Sequence, residues 1–268
     1  MASARVVFLI IINAFLSVFG TCMTFLVIMA ILQNAELQKG LNLLIVSLTA
    51  ADLTNCVIAQ PMYVYYLSNE VSGTYLAAFE IIAFIGLHAV FTNLTAITYH
   101  RMKALSRPFH HLLLVSRKDL VVVIVLTWMV SIVIGVVFAT EPGKVAGAYF
   151  HAVMILSLVL TYIKILWVSW RRRRRKIAEL SGTANYHQQA ATMEQENAAA
   201  ITSAILVGST LLCFLPDVVL DLIGKAETNR LTGIYTLLFA SSAVNPCIVI
   251  WRNQQFRRTL LQMLRLAN

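Results

Sequence analysis

The chain has 268 residues, of which 59% are hydrophobic and only 12% charged. Ordinary soluble domains carry about 25% charged residues, so this composition excludes an ordinary soluble globular protein. The formal net charge of +9 suits a nucleic-acid binder in principle, but its distribution along the chain assigns it to membrane topology and leaves no nucleic-acid partner.

A helix needs about 20 mostly apolar residues to cross the hydrocarbon core of a bilayer. Seven stretches meet that need, at 6–32, 41–67, 75–99, 120–139, 148–170, 198–224 and 231–251. The first is too long for the 7–15-residue apolar core of a signal peptide and is read as a span. Of the 21 Lys and Arg, Arg5, Lys144, Lys225 and Arg230 fall on one side, and the remainder lie at or near the opposite ends of the spans. Basic residues gather on the cytoplasmic side of membrane proteins. The N-terminus is therefore expected outside, the C-terminus inside, and the localisation is the plasma membrane, multi-pass. An odd number of spans demands the same opposition of the termini.

The four cysteines, Cys22, Cys56, Cys213 and Cys247, all fall inside spans, so no extracellular disulfide is expected. The Asn93-Leu94-Thr95 sequon also lies within a span and is discounted as a glycosylation site. After the fifth span, the arginine run 171–175 with Lys176 opens a polar joint reaching about residue 197, with helical extensions of the two flanking spans predicted. Such a run anchors a helix end against anionic lipid or docks a cytoplasmic partner, and the two readings are compatible. In the tail 253–266, Phe256, Leu260, Leu261 and Leu264 recur at helical spacing beside Arg257, Arg258 and Arg265. That pattern predicts an amphipathic helix lying on the inner interface. The expected fold class is an all-α membrane protein: a seven-transmembrane helix bundle plus this short eighth helix, forming one domain over 1–268.

Ionisable groups inside lipid are functional-site hypotheses by default. Asp52 sits in the middle of the second span and must face the bundle interior, as a structural carboxyl or as part of a site. Pro216 in the sixth span and Asn245-Pro246 in the seventh predict kinks, because each proline removes a backbone hydrogen bond. Arg101 ends the third span and Glu196 begins the sixth on the same side, so the two can pair.

This set resembles the class A, rhodopsin-like G-protein-coupled receptors. Asn42 with the stretch 48–53 resembles the LxxxD motif of the family's second helix, Arg101 the arginine of DRY, and Pro108 the proline of the second inner loop. Trp128 resembles the fourth-helix tryptophan, and Tyr162 the fifth-helix tyrosine that turns inward on activation. Cys213-Phe214-Leu215-Pro216 resembles CWxP, Asn245-Pro246 resembles NPxxY, and Phe256 has its counterpart in the eighth helix. The departures are equally specific. Thr24 replaces the first-helix Asn; His100 and Met102 replace the acid and tyrosine of DRY. Phe214 replaces the toggle tryptophan, Val249 the NPxxY tyrosine, Met154 the fifth-helix proline, and Leu76 the third-helix cysteine. A weaker likeness points to the melanocortin and lipid-receptor branch, through the short second outer loop and the changes at Leu76 and Met154.

The resemblance implies a receptor that binds an extracellular ligand in an outer cavity and activates a heterotrimeric G protein by movement of the kinked sixth helix. Arg101, Tyr162, Glu196, Pro216, Asn245 and Pro246 would serve the switch and the coupling. A sodium ion is implied at Asp52, Ser241, Ser242 and Asn245, although Val90 stands where the third helix usually contributes. No other cofactor or metal is expected. Candidate ligand contacts are Glu80, Ala83, His88, Phe214, Asp217, Asp221 and Phe239. Phe239 occupies the position of the retinal lysine and Ala83 that of the amine-anchoring aspartate, which excludes retinal and the usual amine site. Glu80, Asp217 and Asp221 either attract a cationic ligand, or sit at the water boundary and pair with Lys225 and Arg230. His88 is either a hydrogen-bonded core residue or a ligand contact. The ligand class stays open between a cationic small molecule, a peptide and a lipid.

An enzyme is not expected, because none of the six His pairs at H-x-x-x-H spacing within a span and no nucleophile–base set is evident. A transporter or channel is disfavoured by the lack of internal repeats. The alternative within the same fold is a non-signalling membrane partner or scaffold whose switch motifs have degenerated.

Overall fold

The computed structural model describes residues 4–35, 37–38, 40, 42–106, 116–179, 186–222 and 233–266, and every regular element among them is helical. The helices are α1 (Ala4–Gln33), α2 (Asn42–Thr54), a π turn (Asn55–Ala59), α3 (Gln60–Ser68), α4 (Gly73–Ser106), α5 (Arg117–Phe138), α6 (Glu141–Glu179), α7 (Tyr186–Leu222), α8 (Tyr235–Arg252) and α9 (Gln254–Leu266). Among the described residues, six segments are long and apolar enough to cross a membrane: Ala4–Gln33, Asn42–Ser68, Gly73–Lys103, Arg117–Phe138, Tyr149–Val168 and Ala200–Leu220.

Helix α4 is the centre of the bundle. Its buried residues Phe79, Ala83, Leu87, Val90, Leu94 and Ile97 advance by three and four, which keeps one stripe facing inward. It packs against α2, α5, α6 and α7. The peripheral helices reverse this pattern. Phe8, Phe15 and Val18 of α1 and Val122, Leu126 and Val133 of α5 are exposed apolar side chains. Their solvent is the lipid, since apolar faces of this extent are rare on proteins in water.

Helices in lipid approach closely where small residues meet. A side chain at Gly20 of α1 would press on the Cys56 sulfur at 2.5 Å and on Ala243 at 3.2 Å. Gly135 of α5 lies against the α4 backbone at Ile85. Helix α5 begins on a capping box in which the Ser116 hydroxyl accepts from the Asp119 amide and the Asp119 carboxylate accepts from Ser116. Trp128 on the same helix donates its indole N–H to Ser47 of α2 at 3.1 Å.

The second span is interrupted, a feature its apolar pattern does not reveal. Pro61 stands at the start of α3 and has no amide to donate. The Gln60 amide reaches back to the Asn55 carbonyl, and the intervening turn widens to a π turn. Among the described residues, cation–aromatic contacts sit near the basic ends of the helices. Lys103 sits 4.7 Å over the Tyr99 ring, Arg171 5.0 Å over Trp167 and Arg252 5.6 Å over Trp251. Amphipathic rings paired with cations at helix ends are the interfacial anchors of membrane proteins. Helix α9 is tied back to α1: Asn34 donates to the Thr259 hydroxyl at 2.9 Å, and Phe256 is fully buried.

Candidate functional site

The polar cluster begins at Asp52, which α2 places at 1% exposure. The Asn245 amide of α8 donates to its carboxylate at 3.1 Å, and Ser242 hydrogen-bonds it as well. Asn55 donates to the Ser242 hydroxyl at 2.9 Å, and Thr210 of α7 donates to the Asn245 amide oxygen at 3.4 Å. Three helices therefore meet in one buried chain of hydrogen bonds. Two of them carry prolines, Pro216 and Pro246.

Of the residues expected around a sodium ion, Asp52, Ser242 and Asn245 come together. The Ser241 hydroxyl instead donates to the Leu238 carbonyl of its own helix at 2.6 Å. Asn55 was not anticipated, although its place three residues after Asp52 puts both on one helical face. Its side-chain oxygen is buried without a hydrogen-bond partner and faces Gly86, where a Cβ would collide with it. Val90, where the third helix was expected to contribute, is a fully buried apolar residue. A buried carboxylate, a hydroxyl and amide oxygens are the donors a hard cation takes, so the residues fit a sodium ion.

At the other end of the bundle, the expected ligand contacts are mostly packed inside. Ala83 and Phe239 are fully buried, and Phe214 is 2% exposed. Phe239 stacks on Tyr235 at 5.9 Å; Tyr235 meets Phe79 edge-on at 5.1 Å; Phe79 stacks on Tyr63 at 5.8 Å. These rings fill the space between α3, α4 and α8. Phe214 meets Phe91 edge-on at 4.6 Å. Asp217 is buried and Glu80 is half-buried, while the Asp221 side chain, Lys225 and Arg230 lie outside the described residues.

His88 is not solitary. His151 of α6 brings its Nε2 to 2.9 Å from the His88 Nε2, and both residues are buried. Sequence reading missed this partner because the two residues are 63 positions apart on different helices.

At the basic ends of the helices, Tyr162 of α6 is buried and lies 3.5 Å from the Thr98 hydroxyl of α4. The Ser203 hydroxyl of α7 also hydrogen-bonds Tyr162, and Arg101 is close enough to act on it electrostatically. His100, in the place of the DRY acid, is buried. The side chain of Glu196 and all of Pro108 lie outside the described residues, and so does the expected Arg101–Glu196 contact.

A helical bundle with a buried carboxylate tied to an Asn-Pro helix, and a tyrosine beside an arginine at its basic end, is a polytopic membrane-type fold. Comparison with known proteins sharpens this. The family profile "7 transmembrane receptor (rhodopsin family)" matches residues 24–146. The chain is 22% identical to mouse short-wave-sensitive opsin 1, over 91% of this chain and 78% of that protein. It is 24% identical to the chicken adenosine receptor A2b, over 93% and 86%, and 25% identical to the bovine A2b receptor, over 87% and 82%. Over these stretches the chain is similar to the class A, rhodopsin-like G-protein-coupled receptors.

Proposed function

We propose that the chain is a signalling receptor of the plasma membrane, crossing it seven times with the N-terminus outside. The seventh crossing is the segment around α8. Its 18 residues make a helix of about 27 Å, close to the hydrocarbon thickness of about 30 Å. Helix α9 lies on the inner interface, with Arg257 and Arg258 exposed.

An extracellular ligand, a cationic small molecule, a peptide or a lipid, binds near Glu80, His88, Asp217 and Asp221 and favours an open state. A heterotrimeric G protein meets Arg101 and Tyr162 once α7 swings about Pro216. The ligand acts only through tighter binding to that open state. The observation that carries this reading is the chain Asp52–Asn245–Thr210, which couples α2, α8 and α7 at the two proline-bearing helices. The opsins among its relatives are named for wavelength sensitivity. Phe239, buried in the aromatic cluster, argues for a different stimulus here.

G-protein activation in cells expressing the chain tests the proposal. Arg101→Ala is expected to abolish it, and Glu196→Ala to raise its basal level by releasing the resting pair. The replaced switch residues His100, Phe214 and Val249 favour a second reading, a non-signalling membrane partner. Unchanged second-messenger output in Arg101→Ala across all G-protein classes selects it.

Sodium bound at Asp52 and Ser242 is part of the same proposal. Replacing Na⁺ by a bulky organic cation is expected to lower the melting temperature of the purified chain, and Asp52→Asn to erase that difference. An equal sodium response in wild type and Asp52→Asn removes sodium from this site.

A further inference from the structure

The histidine pair has an internal polarity. His88 Nδ1 lies 2.6 Å from the Phe84 carbonyl. A carbonyl only accepts, so Nδ1 of the neutral ring carries the proton and Nε2 carries a lone pair. That lone pair points at His151 Nε2, which donates to it at 2.9 Å. The ring centroids are 4.9 Å apart with 25° between the planes. Phe138 lies 5.3 Å from His88 and 5.9 Å from His151, and Phe150 and Phe91 close the sides. Asp217 of α7 is buried and close enough to interact electrostatically with His88.

This is how proteins prepare imidazole for a metal. A ligating histidine almost always donates its other nitrogen to a carbonyl or carboxylate, which fixes ring and tautomer. The surrounding hydrophobic shell controls water access. Two nitrogens sharing a tetrahedral zinc with bonds of about 2.0–2.1 Å stand roughly 3.3 Å apart. The observed pair needs to part by about half an ångström, and the rings to tilt until both lone pairs converge on the ion.

We infer that His88 and His151 form a two-histidine site for a borderline divalent transition metal, Zn²⁺ first, bridging α4 and α6 within the bundle. On binding, His151 transfers its proton from Nε2 to Nδ1, both rings present lone pairs, and no net charge is lost from the protein. Asp217 offsets part of the added positive charge. Among the described residues no third His, Cys, Asp or Glu converges with them as a metal group. A complete tetrahedral shell needs two further donors, from water or a ligand. The ligand chemistry follows from the softness of imidazole: it suits zinc and copper, whereas magnesium and calcium prefer oxygen.

The purified full chain, titrated with Zn²⁺ in lipid nanodiscs, tests this without reference to signalling. One equivalent should bind with Mg²⁺ in excess, and Co²⁺ at the site should show tetrahedral absorption bands. His88→Phe and His151→Phe keep a ring in the aromatic box, and each should weaken Zn²⁺ at least about ten-fold. Wild-type affinity in either variant, with helical content intact, overturns the inference. Should both variants misfold, absorption spectroscopy at the zinc edge of the wild-type complex decides. Two imidazole nitrogens at about 2.0 Å sustain the site, and an oxygen-only shell, or no uptake of zinc, ends it.

Discussion

Gly135→Ala should lower the stability of the folded bundle by roughly 1–3 kcal/mol or more, the range for an overpacked interior. The added methyl meets the backbone of α4, with the Ile85 nitrogen at 2.7 Å, its Cα at 2.8 Å and its Cγ1 at 2.6 Å. A flexible side chain can turn away from such a collision, but a helix backbone cannot, so α5 must separate from α4. That separation strains the Trp128–Ser47 bond and loosens the contact on which the central helix rests. The control is Gly208→Ala in α7, where a Cβ meets nothing within 4 Å. There the substitution should be neutral or stabilising by up to about 1 kcal/mol, because alanine is the better helix former. Thermal unfolding of the two purified variants in detergent, followed by tryptophan fluorescence, reads the contrast. Equal melting temperatures would mean that α4 and α5 do not pack through Gly135.

The helical membrane architecture is legible in the sequence because the bilayer imposes a length and an apolar composition on each crossing. The central position of α4 is partly legible, since Asn93, Thr98 and His88 are polar groups that a lipid-facing helix would not carry. Features made by contact between distant segments are not. The π turn at Asn55–Ala59 lies just before Pro61, and apolar periodicity averages over such a slip. The aromatic packing of Tyr63, Phe79, Tyr235 and Phe239 draws on three helices, and each ring alone reads as an ordinary core residue.

The site shows the same division. Asp52 and Asn245 announce themselves because a carboxylate and a carboxamide in lipid need partners, and they find each other. His88 and His151 are individually bland, since they lie on different helices and no sequence spacing links them. Ser241 and Ser242 look equivalent in sequence. Only the rotation of α8 decides that Ser242 faces Asp52 and Asn55 while Ser241 serves its own backbone.

That rotation underlies the second large effect. Gly86 of α4 lies where the Asn55 side-chain oxygen enters from the second span, and a Cβ there would overlap it. Gly86→Ala should therefore push Asn55 off Ser242 and cost roughly 1–3 kcal/mol. Of that, the lost hydrogen bond accounts for about 0.6–2 kcal/mol, the range measured between membrane helices. Asn55→Ala loses the same bond but removes the obstructing amide. In that background the atoms nearest to a Cβ at position 86 are gone, and adding it should cost little. The two substitutions should thus couple by about 0.5–3 kcal/mol, the range for residues in direct contact. The coupled signal should also reach Asp52 through Ser242, so Gly86→Ala alone should weaken the sodium-dependent shift in melting temperature. Additive melting temperatures across the four variants would place Asn55 away from Gly86 and dissolve the link between α4 and the Asp52 cluster.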